Sequence, residues 1–167
     1  PEIRPRRTIA GAAAVLLPFD DAGSVDWVSF RRLLGHTASA GLQCAVNMDT
    51  GFVQAIDAST LTRVIVETVD AVGPGFMAGA FVGDHEGDPV DLRSYAAAVE
   101  AITDAGGVPV VFPSHGLNAL DGDAWVAFHR WLGNLTDRFV GFELGPMFVP
   151  YGRIQSLDAY AGLLGIE

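Results

Sequence analysis

Aliphatic runs alternate with amphipathic stretches along the whole chain. Ile9–Leu17 is a run of small and aliphatic residues closed by Pro18-Phe19-Asp20. It reads as a strand, and as one covered on both faces, because such strands lose the in–out alternation of half-exposed sheets. Behind Ser24, a good N-cap, Trp27, Phe30, Leu33 and Leu34 recur at helical spacing up to Gly41. The same succession then repeats. Leu42–Met48, Phe76–Val82, Val108–Phe112 and Phe139–Leu144 are four further strands. A helix starting at Ser59 carries Leu61, Val64, Ile65 and Val69, and a helix over Leu92–Ala105 carries Tyr95, Val99 and Ile102. Asp121 caps another, with Trp125, Phe128, His129 and Leu132 on its inner side, and Ser156–Leu164 is a last short one.

Five βα units about 30 residues long, with no linker between them, predict an α/β fold with a parallel sheet. A complete (β/α)8 TIM-type barrel takes about 250 residues. A chain of 167 residues therefore reads as a single domain, residues 1–167, holding about the first five units of a partial barrel. The alternative is an open doubly wound sheet, which needs a switch point in strand order.

Composition narrows the partners. Half of the residues are hydrophobic, as parallel strands buried on both faces require. No apolar run is long enough for a membrane span. The net charge of −10 argues against nucleic acid, which needs a basic face. Cys44, the sole cysteine, excludes an internal disulfide, fits the cytoplasm and reads as a buried inert thiol. The basic start, Pro1–Arg7, lacks the apolar stretch of a leader and reads as an arm into the first strand. Asn134-Leu135-Thr136 matches a glycosylation sequon, a weak signal without secretion. Gly73-Pro74-Gly75 and Gly106-Gly107 precede strands, so they are turns and not phosphate cradles. No Ser-His-Asp signature and no Cys/His zinc spacing occurs.

Candidate chemistry collects where strands end. Asp49, Asp84, His85, Glu86, His115 and Glu143 all follow predicted strands, and in a barrel those ends share one rim. A His–Glu pair there suits general acid–base work, and two histidines with carboxylates suit a divalent metal. Plainer readings stand beside these. Asp84–Asp88 has the composition of a solvated turn, and His115 fits a loop cap as well as a site. Glu143, between Phe142 and Leu144, needs a partner if buried, and Arg138 or Arg153 would serve. His36, His129 and the three tryptophans read as surface or packing residues.

All ten basic residues are arginine; there is no lysine. This matters because of what the opening resembles. Ala12-Ala13-Ala14-Val15-Leu16-Leu17-Pro18-Phe19-Asp20-Asp21-Ala22-Gly23-Ser24-Val25-Asp26 is similar to the start of the dihydrodipicolinate synthase/N-acetylneuraminate lyase family: an aliphatic strand, Pro-Phe, an acidic-Gly turn and a Val-Asp helix start. Val46-Asn47-Met48-Asp49-Thr50-Gly51 stands where that family has its Gly-Thr-Thr-Gly-Glu loop. The likeness is good over Gly11–Val66 and weaker beyond.

The resemblance implies an aldolase-type lyase acting on a 2-keto acid such as pyruvate through a lysine imine, with no cofactor and no metal. The chain's own features add the expectation of a cytoplasmic protein without nucleic-acid or membrane partners, and the open edge of a five-stranded half-barrel that of a homo-oligomer. It also implies roles, residue by residue. Thr50 matches the loop's second threonine, which holds the substrate carboxylate and passes protons. Asp49 replaces the first threonine, Gly51 is the close-approach glycine, and Phe52 replaces the glutamate. Pro113-Ser114-His115 stands for Pro-Tyr-Tyr, and Glu143-Leu144-Gly145-Pro146 for Tyr-Asn-x-Pro, so a glutamate takes the relay tyrosine's place. Arg153 serves as the carboxylate-binding arginine. Thr50, His115 and Glu143 are thus the expected catalytic residues, and Asp49, Gly51, Ser114 and Arg153 the expected substrate-binding ones. The imine lysine belongs to a sixth strand, expected just after Glu167. Arginine cannot replace it, because its guanidinium does not deprotonate. Two other readings remain: a metal-assisted lyase using the Asp, His and Glu of the rim, and a non-catalytic partial barrel that oligomerises.

Overall fold

A computed structural model describes residues 6, 9–148 and 152–166. Most of the expected N-terminal arm lies outside the described residues. Five strands form one parallel sheet in sequential order: β1 (Ala12–Ala14), β2 (Gln43–Val46), β3 (Met77–Ala80), β4 (Val108–Val111) and β5 (Val140–Gly141). The helices are α1 (Trp27–Ser39), α2 (Ala58–Val72), α3 (Leu92–Asp104), α4 (His115–Ala119), α5 (Gly122–Leu132) and α6 (Leu157–Leu164). Order 1-2-3-4-5 has no reversal, so no doubly wound switch point exists. The sheet is the first part of a barrel wall, closed by neither edge.

Pairing sets which residues face which way. Ala13 lies opposite Cys44, Met77 opposite Val108, and Val110 opposite Val140. With a side-chain period of two, Val15, Val46, Ala78, Ala80 and Val111 meet the helices, packing on Phe30, Leu34, Val64, Tyr95 and Ile102. The alternate positions Ala45, Val110 and Phe112 form a second apolar layer on the concave side, joined by Met77, Phe81, Val140 and Phe142. Both layers being apolar explains the unbroken hydrophobic runs. On β1 the concave-facing Ala12 and Ala14 are exposed, as is Leu16 beyond them, because nothing covers that edge.

Strands are shorter than the apolar runs that announced them. Ile9–Leu17 yields only Ala12–Ala14, the stretch over which it pairs with β2, whereas burial continues through Val15 and Leu17. Helix starts show the opposite strength, because caps are local. Asp121 accepts from Ala124 N–H as the expected cap, and Ser156, expected as the first residue of the last helix, is its cap instead, accepting from Ala159 N–H. One cap shifts: Asp26, not Ser24, caps α1 through Ser29 N–H, and Ser24 N–H instead donates to Asp20 in the preceding turn. Asp57 caps α2 through Thr60 N–H at 2.7 Å, and that helix begins one residue before the expected Ser59.

The outer layer holds one buried charge. Glu67 on α2 is 5% exposed; Arg31 of α1 donates Nε–H to it, and Arg63 reaches its other oxygen at 3.3 Å. Arg63 also lies 4.2 Å over the Trp27 ring. The Arg31 hydrogen bond, more than any other influence, holds Glu67 below its ordinary range.

Candidate active site at the carboxyl ends of the strands

Because all five strands are parallel, their carboxyl ends lie on one side of the sheet. After β2 the chain bends sharply. Asn47 and Phe52, neither of them glycine, both adopt left-handed backbone (φ 51° and 60°) around the 3-10 turn Asp49–Gly51. Gly51 N–H donates to Met48 C=O at 2.9 Å, and Phe52 N–H to Asp49 C=O at 3.0 Å. Gly51 is buried, and a Cβ there would come 3.6 Å from the Val15 carbonyl. Asp49 is half-buried and Thr50 exposed, so the hydroxyl that the resemblance singles out is presented to solvent. Non-glycine left-handed residues cost energy and collect where geometry matters.

After β4, Ser114 is fully buried, and its hydroxyl accepts from Leu117 N–H at 3.2 Å as the N-cap of α4. Its side chain is therefore engaged in helix capping. His115 opens that helix half-buried. The loop cap that the sequence allowed for His115 is present, and its acceptor is Asp84. That carboxylate takes the backbone N–H of both His115 and Gly116. The rest of the β3–α3 loop is the solvated turn its composition suggested: His85 is exposed, and its backbone N–H donates to Asp88 at 2.8 Å.

Glu143 departs from expectation. It is exposed rather than buried, and neither Arg138 nor Arg153 is its partner. Phe142 and Leu144 belong to the concave layer, so the residue between them turns the other way, toward α6. There its carboxylate accepts from Gln155 N–H at 3.2 Å. It also lies beside the Tyr160 hydroxyl, which is buried without a hydrogen bond of good geometry. Burial first, and the adjacent Glu143 second, push the Tyr160 phenol up to about 12. Arg153 is exposed and donates Nη1–H to Leu120 C=O at 3.1 Å, tying the chain before α6 to the start of α5. No local signal pointed to Tyr160, which comes from a different element 17 positions on.

Other titratable groups serve packing. His129 is 2% exposed on α5, with Nδ1–H donating to Trp125 C=O, and burial lowers its pKa. Cys44 is buried beside Leu34 C=O, and burial raises its thiol. Among the described residues no three His, Cys, Asp or Glu side chains gather closely enough to hold a metal ion, and no helix is long and apolar enough to cross a membrane.

No protein-family profile matches the sequence, and no curated protein matches it either. Solved structures do. The chloride-inhibited dihydrodipicolinate synthase of Acinetobacter baumannii, solved with pyruvate, is 19% identical with a TM-score of 0.73, covering 95% of this chain and 53% of that one. A putative dihydrodipicolinate synthetase of Pseudomonas aeruginosa gives 14% identity and a TM-score of 0.76, over 96% of this chain and 54% of the other. N-acetylneuraminate lyase of Fusobacterium nucleatum gives 14% and 0.68, over 92% and 51%. The chain spans about half the length of these structures. Its fold is that of a partial (β/α)8 barrel of the dihydrodipicolinate synthase and N-acetylneuraminate lyase type.

Proposed function

We propose that this chain forms the carboxylate-binding half of a lyase barrel that works on a 2-keto acid such as pyruvate. The overlay on synthase and lyase barrels along nearly the whole chain carries the reading. The chain's own residues support a division of labour. The tight Asp49–Gly51 turn offers an exposed Thr50 hydroxyl to a carboxylate. His115 is held at the rim by Asp84 through its backbone N–H. Glu143, at the relay tyrosine's position in the sequence, turns toward α6 and the Tyr160 hydroxyl, so no relay role is given to it. Arg153 would anchor the anion after leaving Leu120. Imine formation needs a primary amine, and this sequence has none on a side chain.

Titrating pyruvate into isotopically labelled chain tests the reading. Saturable shifts are expected at the amides of Asp49, Thr50, Gly51 and His115. Borohydride added with pyruvate should leave every side chain unmodified in this lysine-free chain. Rim amides that stay unmoved up to tens of millimolar pyruvate would overturn it.

One observation favours a second reading, the oligomerising partial barrel. Large apolar side chains stand exposed beside both open edges: Leu16 and Phe19 beyond β1, and Met147, Leu157 and Leu164 beyond β5.

A further inference from the structure

Helices α2 and α3 stand apart. α1 packs along α2 and α5 along α6, but between α2 and α3 a cleft of about 330 Å³ runs down to the sheet. The composition of the walls explains the gap. α3 presents Ala97, Ala98 and Ala101 toward Leu61 and Ile65 of α2, and single methyl groups are too short to interdigitate across a helix pair.

The cleft floor is unusual. Asn47 lines it, 4% exposed and in left-handed backbone. Its Nδ2–H donates to the Leu61 carbonyl at 3.1 Å. That bond fixes the amide's orientation, because a carbonyl accepts and cannot face the amide oxygen. Oδ1 is left buried with no donor. The fold keeps Asn47 there at some cost: its backbone carbonyl occupies the place a Cβ on Gly79 would take, 2.0 Å away. A strained residue, a buried acceptor without a donor and an adjoining open volume occur together. Buried polar groups lacking partners are rare and call for one. Water fits poorly, since it needs two to four polar neighbours, and apart from Asn47 the lining side chains offer only the Thr62 hydroxyl, whose hydrogen goes to Ala58 C=O. No charged side chain lines the cleft, so an ionic ligand would be desolvated without compensation.

We propose that the α2–α3 cleft binds a small neutral molecule with a compact apolar body and one N–H or O–H donor, the donor meeting Asn47 Oδ1. The site lies between α2 and α3, with Gly79 and Phe81 closing its inner end against Phe112, and does not depend on the lyase reading.

Indole and benzofuran test this, being nearly isosteric and differing in the donor. Indole should bind saturably and shift the amides of Asn47, Gly79 and Ala98. Benzofuran should bind about tenfold more weakly, because it leaves Oδ1 unpaired. Ala101→Leu fills the cleft from an exposed position and should abolish indole binding with an unchanged melting curve; Ala97→Leu, at the outer wall, is the second variant should the first fold poorly. Equal affinity for the two probes, indole binding that survives a folded filled-cleft variant, or shifts that leave the Asn47 and Ala98 amides unmoved would each overturn the proposal. Pyruvate shifts at the Asp49–Gly51 turn report on the other site and are unaffected by either outcome.

Discussion

The Asp84 carboxylate accepts the backbone N–H groups of His115 and Gly116 together, at 2.8 and 2.7 Å. One side chain from the β3–α3 loop thereby closes the start of α4 and fixes where His115 stands on the rim. The arrangement suits charge, since a helix N-terminus carries free N–H groups and favours an anion. Asp84→Ala leaves both donors without their acceptor and should cost about 1.5–3 kcal/mol, read by urea unfolding. Asp84→Asn keeps one acceptor oxygen and should lose less. An alanine variant as stable as the parent would show that solvent replaces the carboxylate.

Glu67 makes stability depend on acid. Its folded pKa is depressed, chiefly by the Arg31 hydrogen bond, so the contribution is present above the ordinary carboxylate value and disappears as pH falls through the folded one. Both arginines are about half exposed, which limits the pair to the order of 1 kcal/mol. Glu67→Gln should lower stability near neutrality and flatten the decline below about pH 4.5. Parallel pH–stability curves for the two proteins would remove Glu67 from that role.

What the sequence disclosed and what it hid divide by range. Asp121 was readable as a cap because a cap and its helix are neighbours. At the start of α1 two capping residues, Ser24 and Asp26, stand two positions apart, and Asp26 wins because its carboxylate lies three positions before the Ser29 N–H. α4 escaped detection because His115–Ala119 is too short for periodicity. The rim positions of Thr50, His115 and Glu143 followed from parallel topology alone. Their partners did not: Asp84 lies 31 residues from His115 and Tyr160 lies 17 from Glu143, contacts that only the tertiary fold creates. Glu143 was expected to be buried from its apolar neighbours, yet alternation on a short edge strand turns it out toward α6.

Gly79 is the tightest position in the sheet. A Cβ there would sit 2.0 Å from the Asn47 carbonyl and 3.0 Å from the Phe112 ring. Both neighbours are backbone or core, so neither can yield cheaply. Gly79→Ala should destabilise the chain by roughly 3 kcal/mol, whereas Gly35→Ala, with open space around it on α1, should be neutral or slightly stabilising. Comparing the two urea midpoints checks it, and equal midpoints would refute the close approach.

The Tyr160 phenol, pushed up to about 12, should ionise well above free tyrosine. A raised folded value means that stability is complete below the unfolded value, about 10, and is lost as pH climbs from there toward 12. Glu143→Gln removes the second cause but not burial, so the phenol should fall toward 10 without reaching it. The phenolate absorbance difference between the parent and Tyr160→Phe isolates this group. A Tyr160 that titrates with free tyrosine would show that the hydroxyl is hydrated and not set against Glu143.

Two open edges and the apolar residues beside them predict self-association. Among the described residues β1 pairs only with β2 and β5 only with β4, leaving unpaired backbone of the kind that recruits another chain. Leu157 and Leu164, 85% and 87% exposed on α6, adjoin the β5 side, where a monomer gains nothing from leucine. Replacing them with residues that suit the helix ends, Leu157→Asp in the first turn and Leu164→Lys in the last, preserves α6 through its dipole while removing apolar surface. The parent should sediment as a concentration-dependent mixture of monomer and larger species, and the double variant should shift toward monomer with its circular dichroism unchanged. A parent that remains monomeric across the micromolar range would mean that its edges are protected by their own shortness, β5 being two residues long, and the apolar surface on α6 would then need another explanation.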